Sequence, residues 1–225
     1  MTAGILRPGL PPVPKYMAGL PIDARGYPVP AFVEWINGVP DFRIMRFDHL
    51  VNCVQFDKCW LCGEKLGKLR SYVIGPMCAV NRNSAEPPSH HDCAVFAAKA
   101  CPFLTRPKAV RRDLGPAMQL EVVEPAGEMI KRNPGVALVW TTRGPTHYER
   151  EPRGFLFDVG EPVHVEWFAE GRDATRAEVL ASMDSGAPIL VAKAKEEGPE
   201  SLQLLAQMIT KALTYLPIDP PATTV

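Results

Sequence analysis

The sequence predicts an α+β fold: a small cysteine-rich module followed by an antiparallel sheet with C-terminal helices. Three observations carry this expectation. All six cysteines of the 225 residues lie between positions 53 and 101. Strand-like runs occupy 118–124, 136–141, 154–159 and 163–168, and helical patterns take over beyond 175. Strands followed by helices favour helices packed on one face of a mostly antiparallel sheet. Apolar content of 46% and charged content of 22% are those of a chain that buries a core.

Residues 1–30 carry Pro8, Pro11, Pro12, Pro14, Pro21, Pro28 and Pro30. Proline fixes φ and lacks an N–H, so helix and central strand are both disfavoured. We expect an extended arm lying on the body or on a partner. The run 31–36 reads as a strand, Asn37-Gly38 as a tight hairpin turn and 40–45 as the returning strand. Residues 47–56 suit a short helix with Leu50, Val51, Val54 and Cys53 facing inward.

Cys59-Trp60-Leu61-Cys62-Gly63 forms a metal-binding knuckle, and Gly63 lets the backbone turn over the ion. The run 71–74 is β-prone and is closed by Gly75-Pro76, with a polar loop over 81–88. Ser89, with Asp92 three residues on, resembles a capping box and starts a helix. Cys93, Phe96, Ala97, Ala100 and Cys101 share one face of that helix, and Pro102 stops it.

A basic linker over 105–112 marks the coarse boundary. It separates a zinc-binding module (31–112) from an α+β region (113–216), and 217–225 reads as a flexible tail. Thr175 with Glu178 is a second capping box, Gly186 a plausible helix stop, 188–197 a further helix, and Pro199 the first turn of the last one. Its apolar stripe is Leu202, Leu205, Met208, Ile209, Ala212 and Leu213.

A closed structural zinc site takes four thiolate or imidazole ligands. We assign Cys59, Cys62, His90 and Cys93. His90 and Cys93 are three apart and so share a helical face, whereas His91 and Cys93 do not. Cys101 lies eight residues beyond Cys93, ~12 Å along a helix axis, and belongs to the core with Cys53. Cys78 is the rival to His90 for the fourth position.

A knuckle, a β-hairpin and a helix carrying the last two ligands resemble the treble-clef arrangement. Residues 26–30, 59–63, Gly75-Pro76-Met77-Cys78, Asn81-Arg82, 86–90 and Cys101-Pro102-Phe103-Leu104 together resemble a family of uncharacterised proteins of bacteria and their phages. That resemblance implies a bacterial or phage origin and carries no activity.

Several enzyme classes are disfavoured. A site of three thiolates and one imidazole leaves no open position for substrate. Zinc deaminases need a P-C-x-x-C, and here Lys58 stands in the proline's place. Nucleases of the HNH type share the treble clef, and Asp48-His49, Asn81 or Asn83, and His91 are suitable residue types. However, His49 precedes the knuckle where that family's pattern places its base after a knuckle cysteine. His147 and His164 lie in or beside strands and read as structural.

Charge divides the chain. Residues 42–112 hold 12 Lys and Arg against 5 Asp and Glu, and residues 113–225 hold 10 against 17. The basic block favours a polyanion. The sequence therefore reads as a non-enzymatic, zinc-stabilised protein contacting nucleic acid. Its contact residues would be Lys65, Lys68, Arg70, Arg82, Arg106, Lys108, Arg111 and Arg112, with Trp60 and Tyr72 available to stack on bases. The alternative is a module that binds a host protein through the proline-rich arm with Tyr16, Tyr27 and Phe32. No run is long enough to span a bilayer and the N-terminus has no signal-peptide pattern, so a cytoplasmic location is expected.

Overall fold

The computed structural model describes residues 4–106, 133–152 and 154–218, so the strand expected at 118–124 and most of the basic linker lie outside the described residues. The fold is mixed helix and antiparallel sheet. Strands β1 (Val33–Ile36) and β2 (Val39–Met45) form the first hairpin. Its turn residues Asn37 and Gly38 sit at φ 49° and 79°. Two consecutive positive φ values are what a hairpin turn matched to strand twist requires, which is why Asn-Gly signals it. Helix α1 (Phe47–Phe56) follows and buries Leu50 and Cys53 as expected.

The centre of the molecule is a four-stranded antiparallel sheet. Its strands are β3 (Leu69–Ile74), β5 (Ala137–Arg143), β8 (His164–Ala169) and β9 (Arg172–Asp173), in the order β3-β5-β8-β9. A three-stranded sheet stands beside it, in the order β4 (Asn83–Ser84), β7 (Gly154–Asp158), β6 (His147–Glu151). Strand β3 belongs to the cysteine-rich segment, yet its ladder partner is β5 of the second half.

The register assigns the two faces of the central sheet. Tyr72 opposes Trp140, and Ile74 opposes Leu138. With Trp167 and Ala169 they line the larger core, closed by Val179, Met183, Leu205, Ala212 and Leu216. Val73 opposes Val139 on the other face, where Phe168 joins them beneath Ala94 and Ala98 of helix α3 (His91–Ala100). Both faces of β5 are therefore covered, and residues 137–142 are all buried.

Several elements differ from the sequence reading. Gly75-Pro76 closes β3 after Ile74 as expected, but a helix follows it directly. Pro76 opens helix α2 (Pro76–Asn81), since a missing N–H costs nothing at a first helical position. Ser89 does not cap α3. It is buried and exchanges two backbone hydrogen bonds with Ser71, and His90 takes the N-cap position. Gly186 does not stop a helix. Helix α4 runs unbroken over Arg176–Glu197 through both Gly186 and Pro188. An interior proline costs about 3 kcal/mol. Here Val179, Ser182, Met183 and Gly186 are buried before the proline and Ala194 after it, with Leu190 and Val191 half-buried against the same core, so packing carries the helix across. Tyr72 is buried at 2% exposure and fills the core, leaving no face for a base.

The capping box at the start of α4 is formed as expected. Glu178 N–H donates to Thr175 Oγ1, and Thr175 N–H donates to Glu178 Oε2 at 2.8 Å. Helix α5 (Pro199–Leu213) has Pro199 in its first turn and buries Leu205 and Ala212 of the expected stripe. The arm at 4–30 lies on the body, with Met17 and Val29 buried.

Arg172 and the box hydrogen bonds hold the Glu178 carboxyl at about 2. A depressed carboxylate stabilises the fold above its unfolded pKa of ~4.3, and that contribution is lost as pH falls towards the folded value. Glu178→Gln should lower the melting temperature at pH 7, and the gap to wild type should close between pH 4 and pH 2. Melting curves across that range check it.

Candidate metal centre

The knuckle is made by backbone constraint. Cys59 N–H donates to Glu64 O at 2.7 Å, Gly63 N–H donates to Cys59 O at 2.9 Å, and Gly63 takes φ 80°. A bridge between Lys58 and Lys65 closes the loop. Both Cys62 N–H and His90 N–H point at Cys59 Sγ, at 3.5 and 3.4 Å. Such N–H groups stabilise a thiolate.

The ligand atoms of Cys59, Cys62, His90 and Cys93 all lie within 4.8 Å of one another. These four were the ligands read from the sequence. His90 Nδ1 stands 3.4 Å from Cys62 Sγ and 4.0 Å from Cys93 Sγ, while its Nε2 lies 3.0 Å from Lys65 O. A backbone carbonyl on the outer nitrogen fixes the tautomer so that Nδ1 presents its lone pair inward, as metal-bound imidazoles require. Tyr16 stacks on the ring at 4.1 Å between centroids.

The pairing of His90 with Cys93 has a different origin from the one expected. His90 is the N-cap and Cys93 the third helical residue, the same two positions that a capping box links. No side chain makes the cap hydrogen bond here, and the pair turns its donors to the cluster instead.

Ionisation of the cluster is strained without a cation. Burial opposes charge on Cys59, but hydrogen bonds from Cys62, Cys93 and His90 outweigh it and lower its thiol pKa. Contact with that thiolate pushes Cys62 up to about 12 and raises Cys93 as well. Only one thiol ionises easily, and a dication that ionises all three relieves the conflict. The donor set fits a metal ion on that ground.

Cys78 lies on α2 and packs against the larger core, away from the four ligands, and burial raises its pKa. Cys53 is in the same core with Sγ 3.4 Å from His49 Nε2. Cys101 is half-buried at the C-cap of α3. A second apolar cluster surrounds the ligands. Met17, Leu61, Leu66, Phe96 and Ala100 pack with Cys59, Cys62 and Cys93, and Leu10, Val13 and Leu20 of the arm lie against it. The arm is thereby docked on the centre.

The residues read as nucleic-acid contacts are placed very differently from one another. Lys65 and Lys68 are exposed on the loop after the knuckle, and Arg106 is exposed at the edge of the described residues. Lys108, Arg111 and Arg112 lie outside them. Arg70 is buried at 6% exposure. Its guanidinium binds Asp57 at 2.6 Å, Thr146 at 3.1 Å and the carbonyl of Gly67. Arg82 lies over the Trp140 ring at 4.8 Å and donates to Gly160 O at 2.6 Å and to Glu161 at 2.8 Å. Trp60 is buried in the larger core and stacked on Phe32 at 4.7 Å, offering no face to a base.

The HNH residue types are not gathered. His49 is buried, its Nε2 is 3.1 Å from Trp60 O, and burial lowers its pKa. His91 meets His164 and Glu166 instead, a grouping that the sequence reading missed. H-x-E triplets occur at His147-Tyr148-Glu149 and His164-Val165-Glu166, so the absent P-C-x-x-C is the ground on which the zinc-deaminase class is disfavoured.

Comparison with known proteins returns no match to a family model, a curated protein or a solved structure. The resemblance to bacterial and phage proteins therefore rests on the quoted residues alone. No helix among the described residues is long and apolar enough to cross a membrane.

Purified protein should carry one tightly held ion per chain. Cys59→Ser and Cys93→Ser should abolish it, while Cys78→Ser and Cys101→Ser should retain it, as elemental analysis will show. Chelation should also expose the arm to limited proteolysis, because the cluster it packs on loses its organising ion. Arg82→Ala should cost about 2 kcal/mol in denaturant unfolding, from the lost cation–π contact and charged hydrogen bonds.

Proposed function

We propose that this chain is a zinc-stapled, non-enzymatic binding protein that contacts nucleic acid beside its metal knuckle. Three thiolates and an imidazole suit zinc, whose preference for such ligands needs no d-electron geometry. The knuckle and helix α3 stand where a treble clef has them, but the expected β-hairpin between them is replaced by a single Ser71–Ser89 bridge, because β3 pairs with β5 instead.

One observation carries the binding reading. Phe56, exposed at 52%, lines an open depression of about 670 Å³ next to the knuckle together with Gln55, Lys58 and Lys65. Asp57 also lines it, but its carboxylate is held by Arg70, so the net charge presented is positive. An aromatic face flanked by lysines, with Lys68 exposed nearby in sequence, is the combination that holds single-stranded nucleic acid through stacking and phosphate contacts.

The host-protein reading has less support. Phe32 stacks on Trp60, Tyr16 stacks on His90, and Arg7 and Arg25 lie over Tyr27, so the arm's aromatic residues are engaged within the chain.

Fluorescence anisotropy with single-stranded DNA and RNA across a salt series tests the proposal. Phe56→Ala should weaken binding by about 1–3 kcal/mol, and Lys65→Ala should reduce the salt slope by ~0.7. No binding at low salt would sink it, whatever the metal content. Cleavage in the presence of Mg2+ or Mn2+ would favour the nuclease reading.

A further inference from the structure

A second group of metal-ligating side chains lies on the sheet face under α3. His164 and Glu166 are two apart on β8, so they project from the same face. The register confirms which face it is. Glu166 opposes Val139 and His164 opposes Thr141, the side on which α3 packs. His91, the first residue of α3, comes down to meet them. Neighbouring residues on a helix diverge by about 100°, so His90 turns to the sulfur cluster while His91 turns to the sheet.

The donor atoms of His91, His164 and Glu166 all lie within 4.8 Å of one another. His91 Nε2 is 2.6 Å from Glu166 Oε2, and His164 Nε2 is 3.4 Å from the same oxygen. His91 Nδ1 has Asp92 Oδ1 at 3.5 Å on its outer side, where a carboxylate orients a ligating imidazole. A simple hydrogen bond between His91 and Glu166 accounts for the shorter contact. His164, whose side chain is 58% exposed, is turned to the same carboxylate oxygen, so both imidazoles converge on one acceptor.

We propose that His91, His164 and Glu166 form a second site, for a borderline first-row divalent ion, distinct from the sulfur-rich centre and independent of the nucleic-acid reading. Two imidazoles and one carboxylate suit ions of the zinc and manganese-to-nickel series, whereas Mg2+ and Ca2+ favour all-oxygen shells. Three protein ligands at a partly exposed position leave coordination sites open to water or to an anionic oxygen. The two sites share a backbone junction at His90-His91, so one helix start faces a closed centre on one side and an open one on the other.

The test uses the whole chain already loaded with one zinc ion in the sulfur-rich centre. Isothermal titration with further Zn2+ should show a second equivalent bound. His164→Ala and Glu166→Gln should each weaken that second event by at least about tenfold while keeping the first ion and the wild-type melting temperature. Because the His164 side chain is largely exposed, its removal leaves the fold intact. Ring 15N shifts of His91 and His164 should move together during the titration. The proposal is overturned if wild type takes up no second ion, if both variants bind it as wild type does, or if only one of the two imidazoles responds.

Discussion

Three thiols and one imidazole crowded within 4.8 Å are the constraint on which the rest of the first half depends. Left alone, such a group ionises once, at Cys59, and that thiolate raises the pKa of Cys62 and Cys93. A dication turns that mutual opposition into four bonds. The apolar residues around the ligands form a cluster of their own, separate from the larger core, and a bound ion would tie that cluster together. The proline-rich arm would have little to pack on without it. Proline keeps the arm extended, and Met17, Leu10, Val13 and Leu20 attach it to the cluster.

The central sheet joins this cysteine-rich unit to the rest. Strand β3 leaves the knuckle and pairs along its whole length with β5, and β5 carries one side chain after another to opposite faces. One face meets α3 and, at its edge, His91, Glu166 and His164. The other meets the larger core under α4 and α5. Ser71 and Thr141 are buried on the α3 face and hydrogen-bond to each other at 2.8 Å, which removes the penalty of placing two hydroxyls there. The sheet therefore fixes where α3 begins, and the start of α3 fixes both candidate metal sites.

Local chemistry was legible in the sequence wherever a short pattern has only one good solution. Asn37-Gly38 needs two positive φ values, Thr175 with Glu178 satisfies its own backbone donors, and Cys59-x-x-Cys62 with His90-x-x-Cys93 brings four metal-ligating atoms together. Tertiary effects were not legible. Pro188 reads as a helix boundary, but buried residues on both sides of it keep α4 whole. Ser89 reads as a cap, but its backbone is held by Ser71, eighteen residues earlier, and shifts the cap to His90. The alternation over 163–168 places His164 and Glu166 on one face, yet nothing local to that strand announces His91, which arrives from seventy-odd residues away. Strand β6, residues 147–151, has four exposed side chains and so lacks the apolar periodicity that would reveal it.

The opposed charges of the two halves resolve in part within the molecule. Arg82, from the basic block, reaches into the acidic half to meet Glu161, with Trp140 and Tyr215 beneath its guanidinium. Lys99 approaches Asp173 and lies over Phe168. Arg70 instead pairs inside its own block, with Asp57. An arginine with a planar fork is suited to such buried, multiply bonded positions, and a lysine is suited to a solvated one. The division seen here follows that rule: the arginines at 70 and 82 bind the fold together, while Lys65 and Lys68 stay in solvent beside the knuckle. A basic block in a sequence is thus two populations, and burial decides which of them is left to face a polyanion.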